Sequence, residues 1–275
     1  MTRRCLAVVL ASALVAAAGC GSRSANGGAP SGQMILATTT STRDTGLLDA
    51  LVPAFQRSSK CSVKTVAVGS GQAIDLGARG QADVLLVHSP AAEQAFMQQG
   101  HGASRLAVMH NDFVLVGPPG DPAKTAGAGG IVPALKAIAR TKSPFASRAD
   151  DSGTNAKELK LWQQAAITPG GGWYIKTGQG MGPTLTIASQ KRAYTLSDRG
   201  TFLATNNLDS EILVQGGQEL QNPYHVIVVK HAGTNVGCAR VFSRWISSVP
   251  AQRLIGSFGK SRYGQALFHP DARAQ

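Results

Sequence analysis

Short apolar runs alternate with segments of helical periodicity along most of the chain. The runs are bounded by turn residues, which is typical of buried strands, and the segments between them place apolar residues three and four positions apart, which predicts helices. The predicted strands are 34–38, 63–68, 83–87, 112–116, a stretch near Tyr194, 212–215 and 226–229; the predicted helices are 47–56, 73–79, 91–99, 131–141, 157–166, 181–190, 239–247 and 251–258. This alternation predicts an α/β fold with mainly parallel strands.

Two proline-containing breaks divide this pattern. Residues 117–122 (GPPGDP) interrupt all periodicity, and residues 222–224 (NPY) precede a strong strand that returns to the first set of elements. We therefore expect hinges near Gly117 and Asn222. One lobe comprises residues 33–117 and 223–275, and the other comprises residues 118–222.

The N-terminal segment does not belong to this fold. Arg3 and Arg4 precede an apolar run over residues 5–18, interrupted only by Ser12, which ends in the small residues before Cys20. A run of this length is too short to span a bilayer core of ~30 Å. Residues 1–19 therefore read as a secretory signal peptide.

Cys20 and the residues after it predict a membrane anchor. The small residues before Cys20 resemble a bacterial lipobox, in which the cysteine becomes acylated, although an ordinary secretion signal that happens to contain a cysteine is the alternative. Residues 20–32 consist mostly of Gly, Ser, Ala, Asn and Pro, a composition typical of a flexible tether. We expect an exported protein of the cell envelope, lipid-anchored on the outer face of the cytoplasmic membrane.

Cysteine count and charge add two further expectations. Cys61 and Cys238 remain after the signal peptide and Cys20 are set aside, and in an oxidising compartment they either form one disulfide or stay free. The net charge of +12 could attract an anion or hold the protein near anionic lipid. The basic residues are scattered and the chain is exported, so we expect no nucleic-acid partner.

Small hydrogen-bond donors concentrate at turns that lead from a predicted strand to a predicted helix, where α/β proteins bind ligands at helix N-termini. Residues 38–42 are five consecutive hydroxyl residues, of which a helix cap would explain one. Residues 69–72 (GSGQ) add a serine between two glycines that allow close backbone approach, and taken alone they are a weak signal.

Two later turns have similar character. In residues 147–154 (SRADDSGT), capping explains Ser152 or Thr154 but not Arg148, which either forms a structural ion pair or is oriented toward an anion by Asp150. Residues 178–182 (GQGMG) and 194–201 (YTLSDRGT) offer Gly180, Met181 and Thr195 as additional donors. Together these turns predict an anion site made mainly of dipoles.

These segments jointly resemble the tungstate-binding lipoproteins of Tup-type ABC transporters, within the molybdate-like periplasmic binding proteins. The resemblance covers about residues 34–268, and its marks are residues 37–42, 82–91 (ADVLLVHSPA), 111–113 (NDF), 178–182 and 194–201. It implies a two-lobed type II periplasmic-binding-protein fold, each lobe a mostly parallel sheet flanked by helices. It further implies a monomer without enzymatic activity or cofactor, which hands a bound oxyanion to an ABC permease and its ATPase.

The resemblance also implies the ligand contacts. Carried over residue by residue, they are Thr39, Thr40, Ser41, Ser70, Arg148, Ser152, Gly153 and Thr154. This sequence has Ala149 where glycine is expected and Ser70 where threonine is common. Both replacements keep the donor chemistry, and no cationic metal is implied.

The expected ligand depends on whether the oxyanion carries a proton that needs an acceptor in the site. Residues 148–154 also resemble phosphate-binding proteins of the same superfamily, in which an aspartate after the third strand commonly accepts the proton of phosphate. Here that region reads Val87-His88-Ser89-Pro90, so a buried P–OH would lose a hydrogen bond of ~1–3 kcal/mol. Tungstate or molybdate is therefore expected over phosphate, unless Asp150 is free to accept the proton.

Two hypotheses from other functional classes remain. A secreted serine hydrolase would need Ser70 or Ser152 beside His88 or His110, but no Gly-x-Ser-x-Gly elbow or Ser-x-x-Lys pattern surrounds a candidate serine convincingly, and no HExxH pair suggests zinc. A lipoprotein that binds only another protein would show no heat change with any oxyanion.

Overall fold

The computed structural model describes residues 29–230 and 235–272. The predicted signal peptide and Cys20 lie outside the described residues, as does most of the tether. Strand β1 begins at Ser31, so the last two residues assigned to the tether are part of the sheet.

The elements follow the predicted alternation of strands and helices. The strands are β1 (Ser31–Thr39), β2 (Lys60–Val68), β3 (Val84–Val87), β4 (Gly102–Gly117), β5 (Phe145–Ser147), β6 (Tyr174–Lys176), β7 (Thr195–Asp198), β8 (Glu211–Val214), β9 (Gln221–Val229) and β10 (His269–Pro270). The helices are α1 (Thr40–Asp44), α2 (Leu47–Ser58), α3 (Ser70–Ala78), α4 (Pro90–Gln98), α5 (Ile131–Thr141), α6 (Gly153–Gln164), α7 (Met181–Gln190), α8 (Arg199–Ala204), α9 (Val236–Ile246), α10 (Val249–Ser257) and α11 (Lys260–Tyr263). The predicted α/β class is confirmed.

The strands form one large sheet in the order β10-β4-β9-β3-β1-β2, to which β7 and β8 are added by pairing with β4. Strand β1 runs parallel to β2 and β3, and β5 runs parallel to β6. Strand β9 runs antiparallel to both β3 and β4. The alternation of strands and helices did not predict this antiparallel pairing.

Strand β4 connects two hydrophobic cores. Its first half pairs with β9 and β10, and its second half pairs with β7 and β8. The larger core, called the first core, draws on β1–β3, α2, β9 and α9–α10, with Phe55, Tyr224 and Phe242 among its members. The second core lies entirely between Phe113 and Leu220 and centres on Phe145, Trp162 and Tyr194.

Cys61 and Cys238 form a disulfide that joins β2 to α9, with their Cα atoms 5.8 Å apart. The two cysteines are separated by 177 positions in sequence. The bond therefore links segments near both ends of the chain within the first core. Among the described helices, none combines the length and apolar character that a membrane span requires.

Candidate functional site

The threonine run and the Gly-Ser-Gly turn lie side by side because β1 and β2 are parallel neighbours. Thr39 pairs with Val68, the last residue of β2, so both strands end at the same edge of the sheet. Helix α1 begins at Thr40 and helix α3 begins at Ser70. Because the first N–H groups of a helix have no partner within it, two sets of unpaired backbone donors arise close together.

Three of the five consecutive hydroxyl residues have structural roles. Thr38 Oγ1 donates to the Leu86 carbonyl at 2.8 Å, and Thr42 Oγ1 donates to the Thr39 carbonyl at 2.7 Å. Thr39 caps α1, since its Oγ1 accepts from Thr42 N at 3.4 Å. Local structure thus explains more of the run than a single cap would. Ser41 Oγ hydrogen bonds with Thr39 Oγ1 at 3.1 Å, and the hydroxyl of Thr40 has no partner within the run.

The loop between β5 and α6 presents Arg148 and three small donors. Ala149 and Asp151 have positive φ angles of 47° and 56°, so the loop turns sharply on both sides of Asp150. Ser152 caps α6 by accepting from Asn155 N at 3.1 Å. Ala149 therefore adopts a backbone conformation that glycine adopts more readily, at the position where the family resemblance expects glycine.

Arg148 is held in a fixed orientation inside the protein. Its side chain is only 3% exposed, and its Nη2 donates to Asp150 Oδ2 at 2.6 Å. Nη2 also approaches Thr40 Oγ1, and Nη1 approaches Thr154 Oγ1, each at 3.4 Å. Nε is buried without a partner in the part of the chain that the structure describes. A buried guanidinium with an unused N–H indicates a place for a further acceptor.

Glycines allow the segments from the two cores to approach at backbone contact distance. An added Cβ would lie 3.4 Å from the Asp150 carbonyl oxygen at Gly69, and 2.7 Å from the Asp151 carbonyl oxygen at Gly71. At Gly153 it would lie 2.7 Å from the His88 carbonyl oxygen. Neither Gly71 nor Gly153 could carry a side chain without a shift of the backbone opposite.

The structure brings the eight main predicted residues to one region between the cores. Thr40 contacts Arg148, a Cβ built on Gly69 would lie 3.4 Å from Ser152 Cα, and Ser70 Oγ accepts from His88 N at 3.5 Å. Gly180 lies against Thr40, with 3.6 Å from a built Cβ to Oγ1.

The other two additional candidates are less available. The side chain of Met181 packs in an apolar cluster with Val114 and Leu185, so only its backbone N–H could serve as a donor. Thr195 Oγ1 donates to the Ala146 carbonyl at 2.7 Å, and this uses its single O–H.

A buried polar network beneath α1 was missed by the sequence reasoning. Asn222 Nδ2 donates to Asn111 Oδ1 at 2.6 Å across the β4–β9 pair, and it approaches the Tyr224 hydroxyl at 3.5 Å. Tyr224 also hydrogen bonds with Ser41. The Asn-Pro-Tyr break marked this place in the sequence, but only as a turn.

Burial controls the charge of two groups beside this network. His88 has its pKa lowered to about 4, first by burial and then by the positive charge of Arg148, so it is neutral at pH 7. Burial raises the pKa of Asp198, and Arg148 opposes that rise. Asp198 Oδ1 accepts from Thr201 N at 2.8 Å, whereas Oδ2 has no partner among the described residues.

The arrangement does not form a nucleophile and a base. Ser70 contacts the backbone of His88 and not its ring, and Ser152 Oγ is used by the α6 cap. His110 instead pairs with Asp271 at 2.8 Å. Within residues 29–230 and 235–272, no group of three or more His, Cys, Asp or Glu side chains could hold a metal ion.

Comparison with known proteins identifies the family of this chain. A profile of the PBP superfamily domain matches residues 24–249. The tungstate-binding protein TupA of Peptoclostridium acidaminophilum is 49% identical over 88% of this chain and 86% of its own length.

Two solved structures are similar over their whole length. The tungstate ABC transporter structure from Geobacter sulfurreducens has 41% identity and a TM-score of 0.74, covering 82% of this chain and 98% of its own. The tungstate-binding protein TupA from Desulfovibrio alaskensis G20 has 40% identity and a TM-score of 0.72, covering 88% of this chain and 100% of its own.

The fold and the similarity to known proteins therefore agree, and the chain belongs to the TupA family of extracytoplasmic solute-binding proteins of ABC importers, a non-enzymatic family within the PBP superfamily.

Proposed function

We propose that this protein captures a tetrahedral oxyanion between two lobes, with tungstate as its ligand and molybdate as the nearest alternative. The observation that carries the proposal is Arg148, a buried guanidinium that contacts Thr40 of α1 and Thr154 of α6, and whose Nε has no partner among the described residues. A dianion placed there would receive charge-assisted hydrogen bonds from both sides.

The hydroxyls around Arg148 suit an acceptor-only ligand. The oxygens of Thr40, Thr154, Ser70 and Ser152 each accept a hydrogen bond from a protein N–H group, which leaves each O–H free to donate. The N-termini of α1, α3 and α6 add backbone donors. The proposed ligand contacts are Thr39, Thr40, Ser41, Ser70, Arg148, Ser152, Gly153 and Thr154, with backbone donors from Gly180 and Met181 as additions.

The site offers few acceptors for a protonated ligand. Both oxygens of Asp150 are used, one by Arg148 and one by Ser152 N at 3.3 Å. After β3 the chain has His88 in place of an aspartate, and burial raises the pKa of the nearby Asp198. Phosphate carrying a proton would therefore leave a donor unpaired, at ~1–3 kcal/mol. The names of the similar proteins, which are tungstate-binding, support the same choice.

Capture requires closure and release. We assign residues 33–117 with 223–275 to one lobe and residues 118–222 to the other. The Asn111–Asn222 pair lies where the two connecting strands pass between them. The closed, loaded protein docks as a monomer on an ABC permease with its ATPase. Export with residues 1–19 as signal and acylation of Cys20 would keep it at the outer face of the membrane.

Isothermal titration with tungstate, molybdate, sulfate and phosphate tests the proposal. The wild type should bind tungstate, and Arg148→Ala should weaken that binding at least about 30-fold, because truncating a buried charged partner removes charge-assisted bonds. Arg79→Ala is the matched control, since Arg79 is the exposed C-cap of α3, at the end of the helix opposite Ser70. Tight phosphate binding without tungstate binding would reverse the ligand choice. The absence of a heat change with every oxyanion would favour the hypothesis that the protein binds only another protein.

A further inference from the structure

Positive charge is concentrated on the C-terminal helices. Between Glu219 and Asp271 the sequence contains no acidic residue. Five exposed basic residues lie on α9, α10 and α11, namely Arg240, Arg244, Arg253, Lys260 and Arg262. This stretch is therefore basic throughout.

The helices that carry these residues all contribute to the first core or pack against it. Helix α9 buries Cys238, Phe242 and Ile246 in the first core, so Arg240 and Arg244, one turn apart, point away from it. Helix α2 packs beside α9, with the ring centroids of Phe55 and Trp245 5.4 Å apart. It adds the exposed Arg57. The surface formed by Arg57 and the five basic residues of α9–α11 is called the basic face.

The basic face has little internal compensation. Asp49 is the acidic residue of α2, and α9–α11 contain none. Across the described residues, no ion pair joins a basic side chain of this face to a carboxylate. Its charge is thus available to an outside partner.

The chain enters the domain beside this face. Asn235, the N-cap of α9, donates through Nδ2 to the Ser31 carbonyl at 2.8 Å, and Gly237 lies against Pro30. From Ser31, β1 runs nine residues to Thr39 at the candidate site, or about 30 Å at the usual rise of a strand. The entry point and the candidate site are therefore at opposite edges of the sheet.

We propose that the basic face binds the surface of an anionic lipid bilayer. An array of charges on long, flexible side chains fits headgroups that have no fixed positions, whereas a protein partner would need a shaped surface. The exposed Val249 at the start of α10 adds an apolar contact on the same layer. The distance from the candidate site leaves the cleft free while the protein lies on the bilayer, and Pro30, near the start of the described residues, lies at the adjacent edge.

Vesicle co-sedimentation tests this proposal without an acyl chain. Residues 29–275 are sufficient, because both cores lie within them and 82% of this chain already covers 98% of the solved Geobacter relative. We expect binding to vesicles of about one part phosphatidylglycerol to three parts phosphatidylcholine, weakened steeply as NaCl rises from about 0.05 to about 0.5 M. Pure phosphatidylcholine vesicles should not bind it.

Two variants with the same loss of net charge separate the face from overall charge. Replacing Arg240, Arg244, Arg253 and Lys260 with Gln should weaken vesicle binding at least about tenfold. Replacing Lys136, Arg140, Lys142 and Lys191 with Gln, all exposed around the second core, should change it less than about threefold. Near-UV circular dichroism confirms that both remain folded. Equal losses of vesicle binding in the two variants, or no vesicle binding by the wild type at low salt, would overturn the proposal. Tungstate binding that is retained in the same samples would show that the proposed function is unaffected by that outcome.

Discussion

Arg148 shows how a flexible side chain becomes a fixed donor. Asp150 holds one end of the guanidinium at 2.6 Å, and Asp150 is itself positioned by Ser152 N. Thr40 and Thr154 fix its remaining faces from different parts of the chain. An ion pair in this position orients the charge without removing all of its hydrogen-bonding capacity.

Thr40 should contribute an O–H to the ligand. Thr40→Val keeps the shape of the side chain but removes that donor, so tungstate affinity should fall about 10- to 100-fold, as expected for a hydrogen bond to a charged group. Thr65→Val is the control, because Thr65 is exposed on β2. Isothermal titration measures the tungstate affinity of both variants. A Thr40→Val affinity equal to that of Thr65→Val would exclude Thr40 as a ligand contact.

Glu158 should make stability depend on pH in an unusual direction. Burial raises its pKa to about 6, against opposing hydrogen bonds from Tyr174, Ser147 and Trp162. An acid with a raised folded pKa contributes stability below its unfolded value of 4.5, and loses it as pH rises through about 6. The unfolding free energy of wild type minus that of Glu158→Gln should therefore fall by about 2 kcal/mol between pH ~4 and pH ~7.5.

Urea unfolding at several pH values measures this difference. The side-chain amide introduced by Glu158→Gln can still accept from Tyr174 and Trp162, so the comparison isolates the proton. The lowered pKa of His88 acts in the opposite direction, since stability there is lost as pH falls through about 4, but it is common to both proteins. Parallel pH profiles would contradict the assignment to Glu158.

The sequence predicted that these turns lie together better than it predicted the hydrogen-bonding role of each side chain in them. Hydroxyls, glycines and one arginine at strand ends are a readable signal, because helix N-termini have a fixed chemistry. The network of Asn111, Asn222 and Tyr224 was not readable. Its members are distant in sequence and meet only because β4 and β9 pair in one particular register.

Short helices and strands account for most differences between the predicted and observed elements. Helix α1 has five residues, and strands β5 and β6 have three each, which is too few for any periodicity to be recognised. Strand β4 was predicted only over residues 112–116, although it has sixteen residues. The first six residues of β4 are all exposed or half-buried, so its first half lacks the continuous apolar run of its second half.

The start of α6 should govern closure. A Cβ on Gly153 would meet the His88 carbonyl oxygen at 2.7 Å, so Gly153→Ala should hold the two cores apart. Tungstate affinity should fall at least about tenfold, while the unfolding free energy changes by less than about 1 kcal/mol, because alanine is favourable at a helix start. Titration combined with small-angle scattering checks both effects.

Gly172→Ala is the control for this substitution, because an added Cβ there meets nothing within 4 Å. It should leave both the affinity and the radius of gyration unchanged. If Gly153→Ala behaves like Gly172→Ala, the contact with His88 does not limit closure.

At the scale of the whole molecule, the disulfide should stabilise the fold without affecting the ligand. Cys61 pairs with Gly32 in the β1–β2 register, at the edge opposite the candidate site. Closing a loop across 177 positions reduces the entropy of the unfolded chain, so replacing both cysteines with alanine should lower the unfolding free energy by about 5 kcal/mol. Tungstate affinity should stay within about threefold of wild type. Denaturant unfolding and titration measure the two quantities, and a stability loss below about 1 kcal/mol would contradict this account.

The distribution of the two cores along the chain has a consequence for the order of folding. The second core is continuous between Phe113 and Leu220, whereas the first needs residues from Met34 to Met109 together with residues from Tyr224 to Phe268. During synthesis from the N-terminus, all residues of the second core are therefore made before the C-terminal residues that complete the first core. Its largest apolar surface stays uncovered until the last helices arrive, so a polypeptide interrupted before α9 would be prone to aggregation and proteolysis.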